Sequence, residues 1–382
     1  MISSRLSTVF TALKVTCNVN TLFWKRNGVL MSGYGLLPIQ LIALKKNKFI
    51  VHFLSLICCF WSRFFSWTLF PVFFFQLLIY SAKYLKFRIQ NKQMEKNSLS
   101  GTVFLNAHGK AFQVYKSSGR NENFTILNLP YKQFAVNAAF SDYQVISIFD
   151  LLTFKDICSA FFLQCKLLFL VKQAKMGGWL SLQGFLLFLT QKSLINYPGL
   201  KKIIFCNADR LSYICTYLSP DIDCIFMQHG LLNENLSPQY FSHSWGKIAT
   251  GFFYNTDQAA IANKFISKIS EVKFFVPSLK LTPLQHAAEG KSILLIGCDW
   301  LYGDIELDII KKYSNQPNVY LYVKPHPNYP SSFYKKLLKT YEFTLIEQRE
   351  LFPDVDEIIS YESTLAYEYM LWNKKVHIHS NL

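Results

Sequence analysis

The sequence lacks the short motifs that mark the commonest metal and nucleotide sites. It has nine cysteines but no C-x-x-C pair, and neither G-x-G-x-x-G nor the complete G-x-x-x-x-G-K-[ST] occurs. These absences argue against a zinc ribbon, a dinucleotide fingerprint and a P-loop, and we expect neither a metal nor a cofactor. Most of the cysteines lie in apolar surroundings, which favours reduced thiols used as small buried side chains.

Acidic residues are nearly absent from the first quarter of the chain. Residues 1–100 contain 13 Lys and Arg but a single acid, Glu95, so they carry +12 of the formal net charge of +16. The remaining 282 residues are almost balanced. A basic character confined to one apolar segment argues against nucleic acid as a partner.

That basic segment also lacks an uninterrupted apolar run of spanning length. Apolar, aromatic-rich stretches cover 49–61 and 64–80, Arg63 lies between them, and lysines flank both ends. Such flanks attract an anionic membrane surface. We therefore expect residues 1–100 to associate with a membrane as an in-plane or re-entrant segment; one tilted spanning helix and a buried pair of core helices are the alternatives. Residues 1–48 show no clear periodicity and are expected to hold little regular structure. A cleaved secretory signal is not expected.

After residue 100 the pattern is that of an α/β protein. Short apolar runs that end in polar loops alternate with longer helical stretches, and the two α/β blocks are separated by a proline-containing passage over 264–283. The sequence predicts a Rossmann-like N-terminal lobe over 101–275 and a Rossmann-like C-terminal lobe over 276–382, with a cleft between them. The strands are expected near 102–106, 124–129, 202–207, 222–227, 292–297, 318–323 and 357–361. Long, mostly apolar helices are expected over 157–176 and 179–193, and a loop over 298–303 is expected to lead to a helix over 304–313.

The clearest motif is the Lys-Pro-His-Pro segment over 324–327, which follows an apolar run of strand length. Its two prolines remove backbone donors and fix φ, so it is expected to end the strand and to present His326 at the carboxyl end. A second strand is followed by the Ser-Thr pair at 363–364, which is expected to begin a helix that ends near Asn373.

These two strand ends favour a site for a phosphate-bearing ligand. In an open α/β sheet, ligands bind outside the carboxyl ends of the strands. An imidazolium at His326 can donate to a phosphate oxygen, the hydroxyls of Ser363 and Thr364 can do the same, and Lys324 can add charge. Glu362 is a candidate acceptor for ribose hydroxyls. The structural alternative is that His326 completes a proline turn and the hydroxyls cap the helix.

A second group of candidates lies in the N-terminal lobe. His229, in the strand-end sequence Gln228-His229-Gly230, is placed to take a proton from an incoming hydroxyl, and Glu234 follows it in a polar loop. The alternative is a loop histidine with a structural hydrogen bond. His108 and Gly109, after the first strand of the lobe, are expected to line the same cleft.

The order and spacing of these motifs resemble a known group of enzymes. The His-Pro and Ser-Thr pairs resemble those of bacterial GT-B sialyltransferases and related Kdo transferases of capsule synthesis. The resemblance implies a CMP-linked donor whose phosphate is held by His326, Ser363 and Thr364, and transfer to a glycan or lipid-linked acceptor with inversion. It covers residues 200–382 by motif and 101–200 by architecture alone.

Two departures from that group bear on the assignment. In the sialyltransferases the base is an acidic residue, whereas the corresponding residue here is His229. A histidine at this place resembles the CDP-glycerol glycerophosphotransferases instead. A polyol-phosphate transferase or a nucleotide-sugar epimerase is therefore the alternative. The chain also stops soon after a strand, whereas GT-B proteins usually finish with helices that return to the first lobe. Either that return is absent or the C-terminal lobe is truncated. The resemblance implies an enzyme at the cytoplasmic face of the bacterial inner membrane, peripheral or monotopic.

Overall fold

The computed structural model describes residues 4–14, 60, 66–90, 99–105, 115, 122–129, 143–174, 176, 180–206, 210–228, 232, 245–275, 280–283, 290–326, 331–348, 351–360 and 364–378, without the side chains at 66, 299–302 and 364. The described residues up to Phe275 form one compact unit, and those from Lys280 onward form a second. Within these ranges no helix is both long and apolar enough to cross a membrane.

The N-terminal unit is built on a seven-stranded sheet in which all neighbouring strands run parallel. The strand order is β3-β2-β1-β4-β5-β6-β7, which contains the 3-2-1-4-5-6 order of a doubly wound fold. Its central strands are buried apolar runs, as expected for parallel strands covered on both faces. The strands are β1 Thr102–Leu105, β2 Thr125–Asn128, β3 Gln144–Ser147, β4 Lys202–Phe205, β5 Asp223–Met227, β6 Trp245–Phe253 and β7 Ile266–Phe274.

Several helices accompany this sheet in the described part of the unit. The long helices α3 and α4 pack closely at Gly184, where a Cβ would overlap the side chain of Leu167. The start of α3 is fixed by a reciprocal capping box between Thr153 and Asp156. The helices are α1 Leu69–Gln90, α2 Ile148–Leu151, α3 Phe154–Gln173, α4 Leu180–Ile195, α5 Arg210–Cys215 and α6 Thr256–Asn263.

Residues 4–14 form a further helix, which belongs to the core of this unit. Val9, Ala12 and Leu13 are completely buried, and the Arg5 guanidinium donates to the Phe188 carbonyl at 3.1 Å. The expectation of little regular structure over 1–48 is therefore wrong for this stretch. Periodicity over so short a helix is a weak signal, and its stability comes from tertiary packing.

The C-terminal unit contains a smaller sheet of the same kind. Its five parallel strands are ordered β10-β9-β8-β11-β12. Alternate residues of β8 enter separate apolar clusters on opposite faces, Ile293 and Leu295 in one and Leu294 and Ile296 in the other. The strands are β8 Lys291–Gly297, β9 Val319–Pro325, β10 Thr344–Leu345, β11 Glu357–Ser360 and β12 Lys375–Ile378; the helices are α7 Asp299–Ser314, α8 Ser332–Leu337 and α9 Thr364–Met370.

Two expected boundaries need correction. The passage predicted over 264–283 contains β7, an edge strand parallel to β6, because its exposed polar positions hid the apolar pattern. The loop predicted over 298–303 is largely helical, because α7 begins at Asp299 directly after β8. The expected helix stop at Asn373 is confirmed: its φ is 57° and its N–H donates to the Met370 carbonyl.

Candidate functional site

The order of the second sheet defines one crevice at its carboxyl edge. The chain leaves the central strand β8 toward β9 and β10 on one side, and then returns to β11 and β12 on the other. The strand order therefore reverses between β8 and β11. In open parallel sheets this switch point is where ligands bind, because the loops after the two strands diverge there.

His326 lies beside this switch point. Its backbone N–H donates to the Gly297 carbonyl at 2.9 Å, and Gly297 is the last residue of β8. Pro325 still belongs to β9, so the strand ends two residues later than the predicted end at 323. The missing N–H of Pro325 leaves no gap in the pairing with β8, since the Gly297 carbonyl accepts its hydrogen bond from the N–H of His326.

The electrostatic environment of His326 differs from the one expected from the sequence. The residue is partly buried, and burial lowers the pKa of its imidazole below 6.5. The neutral form therefore predominates at pH 7 before a ligand is bound. A neutral imidazole still has one N–H to donate, and a bound phosphate would favour the charged form.

Lys324 does not extend into solvent at the strand end. Its side chain is buried, its ammonium donates to the Gln348 carbonyl at 2.7 Å, and the same nitrogen lies 4.9 Å from the centre of the Phe352 ring. Lys324 thus joins β9 to the loop that follows β10. Its participation in phosphate binding stays a prediction.

A buried glutamate behind the crevice was missed by sequence reasoning. Glu306 of α7 is fully buried, accepts the Cys298 N–H at 2.6 Å and accepts the Tyr334 hydroxyl at 2.6 Å. A Cβ at Gly297 would overlap that hydroxyl, so only glycine fits there. These contacts hold the turn from β8 into α7. The signal was present, because Glu306 occupies a helical position three and four residues before the buried Ile309 and Ile310.

The other side of the switch point is described only in part. β11 ends at Ser360, which is buried, and α9 begins at Thr364 and is anchored by Tyr369, whose hydroxyl donates to the Pro353 carbonyl at 3.0 Å. Glu362, Ser363 and the Thr364 side chain lie outside the described residues. Their predicted roles remain predictions.

In the N-terminal unit, Gln228 has a structural environment. It is 1% exposed, its amide oxygen accepts the Tyr254 N–H at 3.0 Å, and its amide nitrogen donates to Gln258 at 2.5 Å. Gln258 also accepts the Leu232 N–H at 2.7 Å and donates to the Leu232 carbonyl at 3.2 Å. The Gln258 side chain of α6 is therefore hydrogen-bonded to Gln228 and to Leu232, the residues directly before and after 229–231. The sequence did not reveal this link.

The remaining predicted residues of the N-terminal cleft, His108, Gly109, His229, Gly230 and Glu234, lie outside the described residues. Across the described ranges, no group of three or more His, Cys, Asp or Glu side chains is arranged to hold a metal ion.

Comparisons with known proteins give only distant structural likenesses. No protein-family model matches the sequence, and no curated protein matches it. Among solved structures, the spinosyn rhamnosyltransferase SpnG is similar at a TM-score of 0.41 and 10% identity, over 72% of this chain and 79% of that one. Anabaena Alr3699/HepE, solved in complex with UDP and glucose, gives the same values. Acinetobacter baumannii MurG is similar at a TM-score of 0.29 and 14% identity, over 71% of this chain and 73% of that one. Likeness at this level assigns neither a family nor an activity to the chain.

Proposed function

We propose that this protein is a GT-B glycosyltransferase that transfers a sugar from a nucleotide-activated donor to an acceptor hydroxyl. The observation that carries the proposal is the position of His326, hydrogen-bonded to the last residue of β8 beside the switch point of the second sheet. A switch-point crevice is the usual place for a nucleotide in a doubly wound sheet. Two such sheets in one chain agree with the two lobes of the GT-B architecture.

In the proposed reaction the acceptor oxygen attacks the anomeric carbon of the donor sugar. A new carbon–oxygen bond forms as the bond between sugar and phosphate breaks, and its electron pair leaves with the nucleotide phosphate. Attack from the face opposite the leaving group inverts the anomeric centre. His326, with Ser363 and Thr364, would stabilise the charge that develops on the leaving phosphate, while Lys324 and Glu362 complete the donor side.

His229 is the proposed base of the acceptor side. It would take the proton of the acceptor hydroxyl as the new bond forms. The buried Gln228 and Gln258 amides support this role, because they hold residues 228 and 232, directly before and after residues 229–231. Gly230, Glu234, His108 and Gly109 are the proposed acceptor-side neighbours.

The donor is proposed to be CMP-linked, with a sugar of the sialic acid or Kdo type, and the acceptor to be a surface glycan or its lipid-linked precursor. The protein is proposed to act at the cytoplasmic face of the bacterial inner membrane, where such an acceptor is present. Its role would thus be in capsule or lipopolysaccharide synthesis.

The second candidate is a CDP-glycerol-type polyol-phosphate transferase, which is favoured by the histidine at position 229 in place of an acid. In that reaction the acceptor oxygen would attack the distal phosphorus of the donor, and CMP would leave. Both reactions release the same nucleotide from the same crevice, so they differ in donor preference.

A thermal-shift series with CMP, CDP, UDP and GDP tests the donor site. A cytidine nucleotide at about 100 times its Kd should stabilise the protein by about 2.7 kcal/mol. His326→Ala removes a hydrogen bond to a charged phosphate, worth roughly 1.5–3 kcal/mol, so it should weaken binding by about 10- to 100-fold.

His377→Ala is the matched control, because His377 lies on β12 of the same unit and contacts Glu357. The His377→Ala variant should show the same rise in unfolding temperature with nucleotide as the wild type. The donor site is refuted if no nucleotide stabilises the wild type, or if His326→Ala and His377→Ala respond to nucleotide alike. A preference for CDP-glycerol over CMP-sugars would select the second candidate.

A further inference from the structure

The helix α1 exposes an apolar surface that the proposed chemistry does not use. It contains no acidic residue, and apolar side chains occur on all its sides. Helices of that kind are normally buried all round. Here the 3₁₀ turn before α1 and the helix itself expose large apolar side chains, namely Trp67, Val72, Phe74, Phe75, Leu78, Ile79, Leu85 and Ile89.

The opposite side of α1 is fixed to the protein along its length. Leu69 and Phe73 are completely buried near its start. In the middle, the Gln76 amide donates to the Leu182 carbonyl at 3.2 Å, and the Tyr80 ring lies 5.1 Å from Phe185. At the end, Arg88 donates to a carbonyl of the α2–α3 connection at 3.2 Å. A helix held in this way offers its outer face alone to a partner.

The neighbouring helix α3 extends the exposed surface. Phe162 and Phe169, about two turns apart on α3, are 64% and 58% exposed. The Phe169 ring lies 6.4 Å from that of Phe70 on α1. Lys166 is exposed between them. We call the exposed apolar side chains of Trp67, Phe74, Phe75, Leu78, Leu85, Ile89, Phe162 and Phe169 the α1–α3 surface.

The charges at this surface identify the kind of occupant. Lys83 and Lys86 are exposed on α1 and Lys166 on α3, while the first 100 residues carry a net +12. Aromatic side chains interleaved with lysines match the anionic headgroups and acyl chains of a bilayer. A second copy of the chain would bring the same positive charge to the contact and would be repelled.

We propose that the α1–α3 surface inserts in plane into an anionic bilayer, with α1 parallel to the membrane and its docked face on the protein. Of the three interpretations open from the sequence, the docking of α1 favours the in-plane one, because a helix attached along its length cannot also cross the bilayer. Apolar side chains would then enter about 5–10 Å into the boundary between headgroups and acyl chains. This inference rests on the proposed membrane location and is independent of the donor chemistry.

Cosedimentation of the full chain with vesicles tests the surface. The wild type should bind vesicles of phosphatidylcholine mixed with phosphatidylglycerol more tightly than vesicles of phosphatidylcholine alone. Lys83→Gln with Lys86→Gln should weaken binding to the anionic vesicles by roughly thirtyfold. Phe74→Gln with Phe75→Gln should weaken binding to both kinds of vesicle by at least about tenfold.

Phe274→Gln is the matched control, because Phe274 on the edge strand β7 is 53% exposed, against 54% for Phe74. It should bind vesicles like the wild type. Since every substituted side chain is exposed, the variants should keep the unfolding midpoint of the wild type. The part of the tryptophan fluorescence that Trp67→Phe removes should be quenched by brominated lipids. The quenching should be stronger when the bromines are near the headgroups than when they are deep in the acyl chains.

Several results would overturn the inference. If Phe74→Gln with Phe75→Gln binds like the wild type, the surface is wrong although the membrane location stands. If the wild type binds no vesicle, both are wrong, while the nucleotide shift still reports on the donor site. A dimer that forms without lipid and dissociates with the same substitutions would identify a second copy as the occupant. Stronger quenching by deep bromines would refute the in-plane orientation.

Discussion

Removing the Glu306 carboxylate should loosen the turn from β8 into α7. Glu306→Ala deprives two buried donors, the Cys298 N–H and the Tyr334 hydroxyl, of an acceptor 2.6 Å away. A buried donor without its acceptor costs about 1–3 kcal/mol, so the loss of both acceptors should cost about 4 kcal/mol, twice the middle of that range. Glu306→Gln keeps an oxygen for the Cys298 N–H and replaces only the oxygen that accepts from Tyr334 by an amide nitrogen, which costs about 1 kcal/mol.

Hydrogen exchange measured by mass spectrometry resolves this effect locally. The amides of β8 and the first half of α7 should lose protection by roughly a thousandfold in Glu306→Ala and by about fivefold in Glu306→Gln. Glu342→Ala, at an exposed position of the same unit, is the control and should leave these amides unchanged. The double variant of Tyr334→Phe and Glu306→Ala should lose less protection than the sum of the losses in the two single variants. The reason is that each single variant already removes the same hydrogen bond between Tyr334 and Glu306.

The reasoning about Glu306 is refuted if Glu306→Ala exchanges like Glu342→Ala in these peptides. It is also refuted if the Tyr334 and Glu306 effects are strictly additive. Because the Gly297 carbonyl accepts from His326, a loosened turn is expected to reach the donor crevice as well.

Two further predictions concern the framework of each unit. Burial would raise the pKa of Glu357, but the ammonium groups of Lys375 and Lys291 outweigh it and lower the pKa from 4.5 to about 2. The resulting stability is present above pH 4.5 and lost as the pH falls toward 2; it should amount to about 1–2 kcal/mol, since the lysines are half exposed. Urea unfolding should therefore show wild type and Glu357→Gln converging over that range, and a constant difference would contradict the ion pairs. Gln258→Leu removes the links to Gln228 and to the chain after residue 231, and should lower the urea midpoint of the N-terminal unit through a loss of about 2–4 kcal/mol; an unchanged midpoint would show that the amides are dispensable.

The sequence predicted the strands near the C-terminal site well, because parallel strands buried on both faces are continuous apolar runs. β8, β9 and β11 each coincide with such a run to within a few residues. The start of α3 was misplaced by three residues, although the Thr153 and Asp156 capping box that fixes it is visible in the sequence. β7 escaped detection because an edge strand is exposed on most of its length.

For the site, the sequence predicted where the motifs lie along the chain but not the contacts that their side chains make. The strand end at His326 followed from its prolines, whereas the Lys324 contact with Gln348 depends on a loop 24 residues away. The contact of Glu306 with Tyr334 joins two helices, and a pattern within one helix shows only that its carboxylate is buried. Contacts of this kind arise from tertiary packing, which local propensity does not encode.

The helix over residues 4–14 has a practical consequence for preparing the protein. Trimming the basic, apolar N-terminal region to improve solubility would also remove Val9 and Leu13, each completely buried, and with them about 1.5–3 kcal/mol of apolar burial apiece. The shortened chain would expose the surface on α4 that Arg5 now covers. Polar substitutions on the outer face of α1 would improve solubility without opening the core, and are the better route to a well-behaved sample.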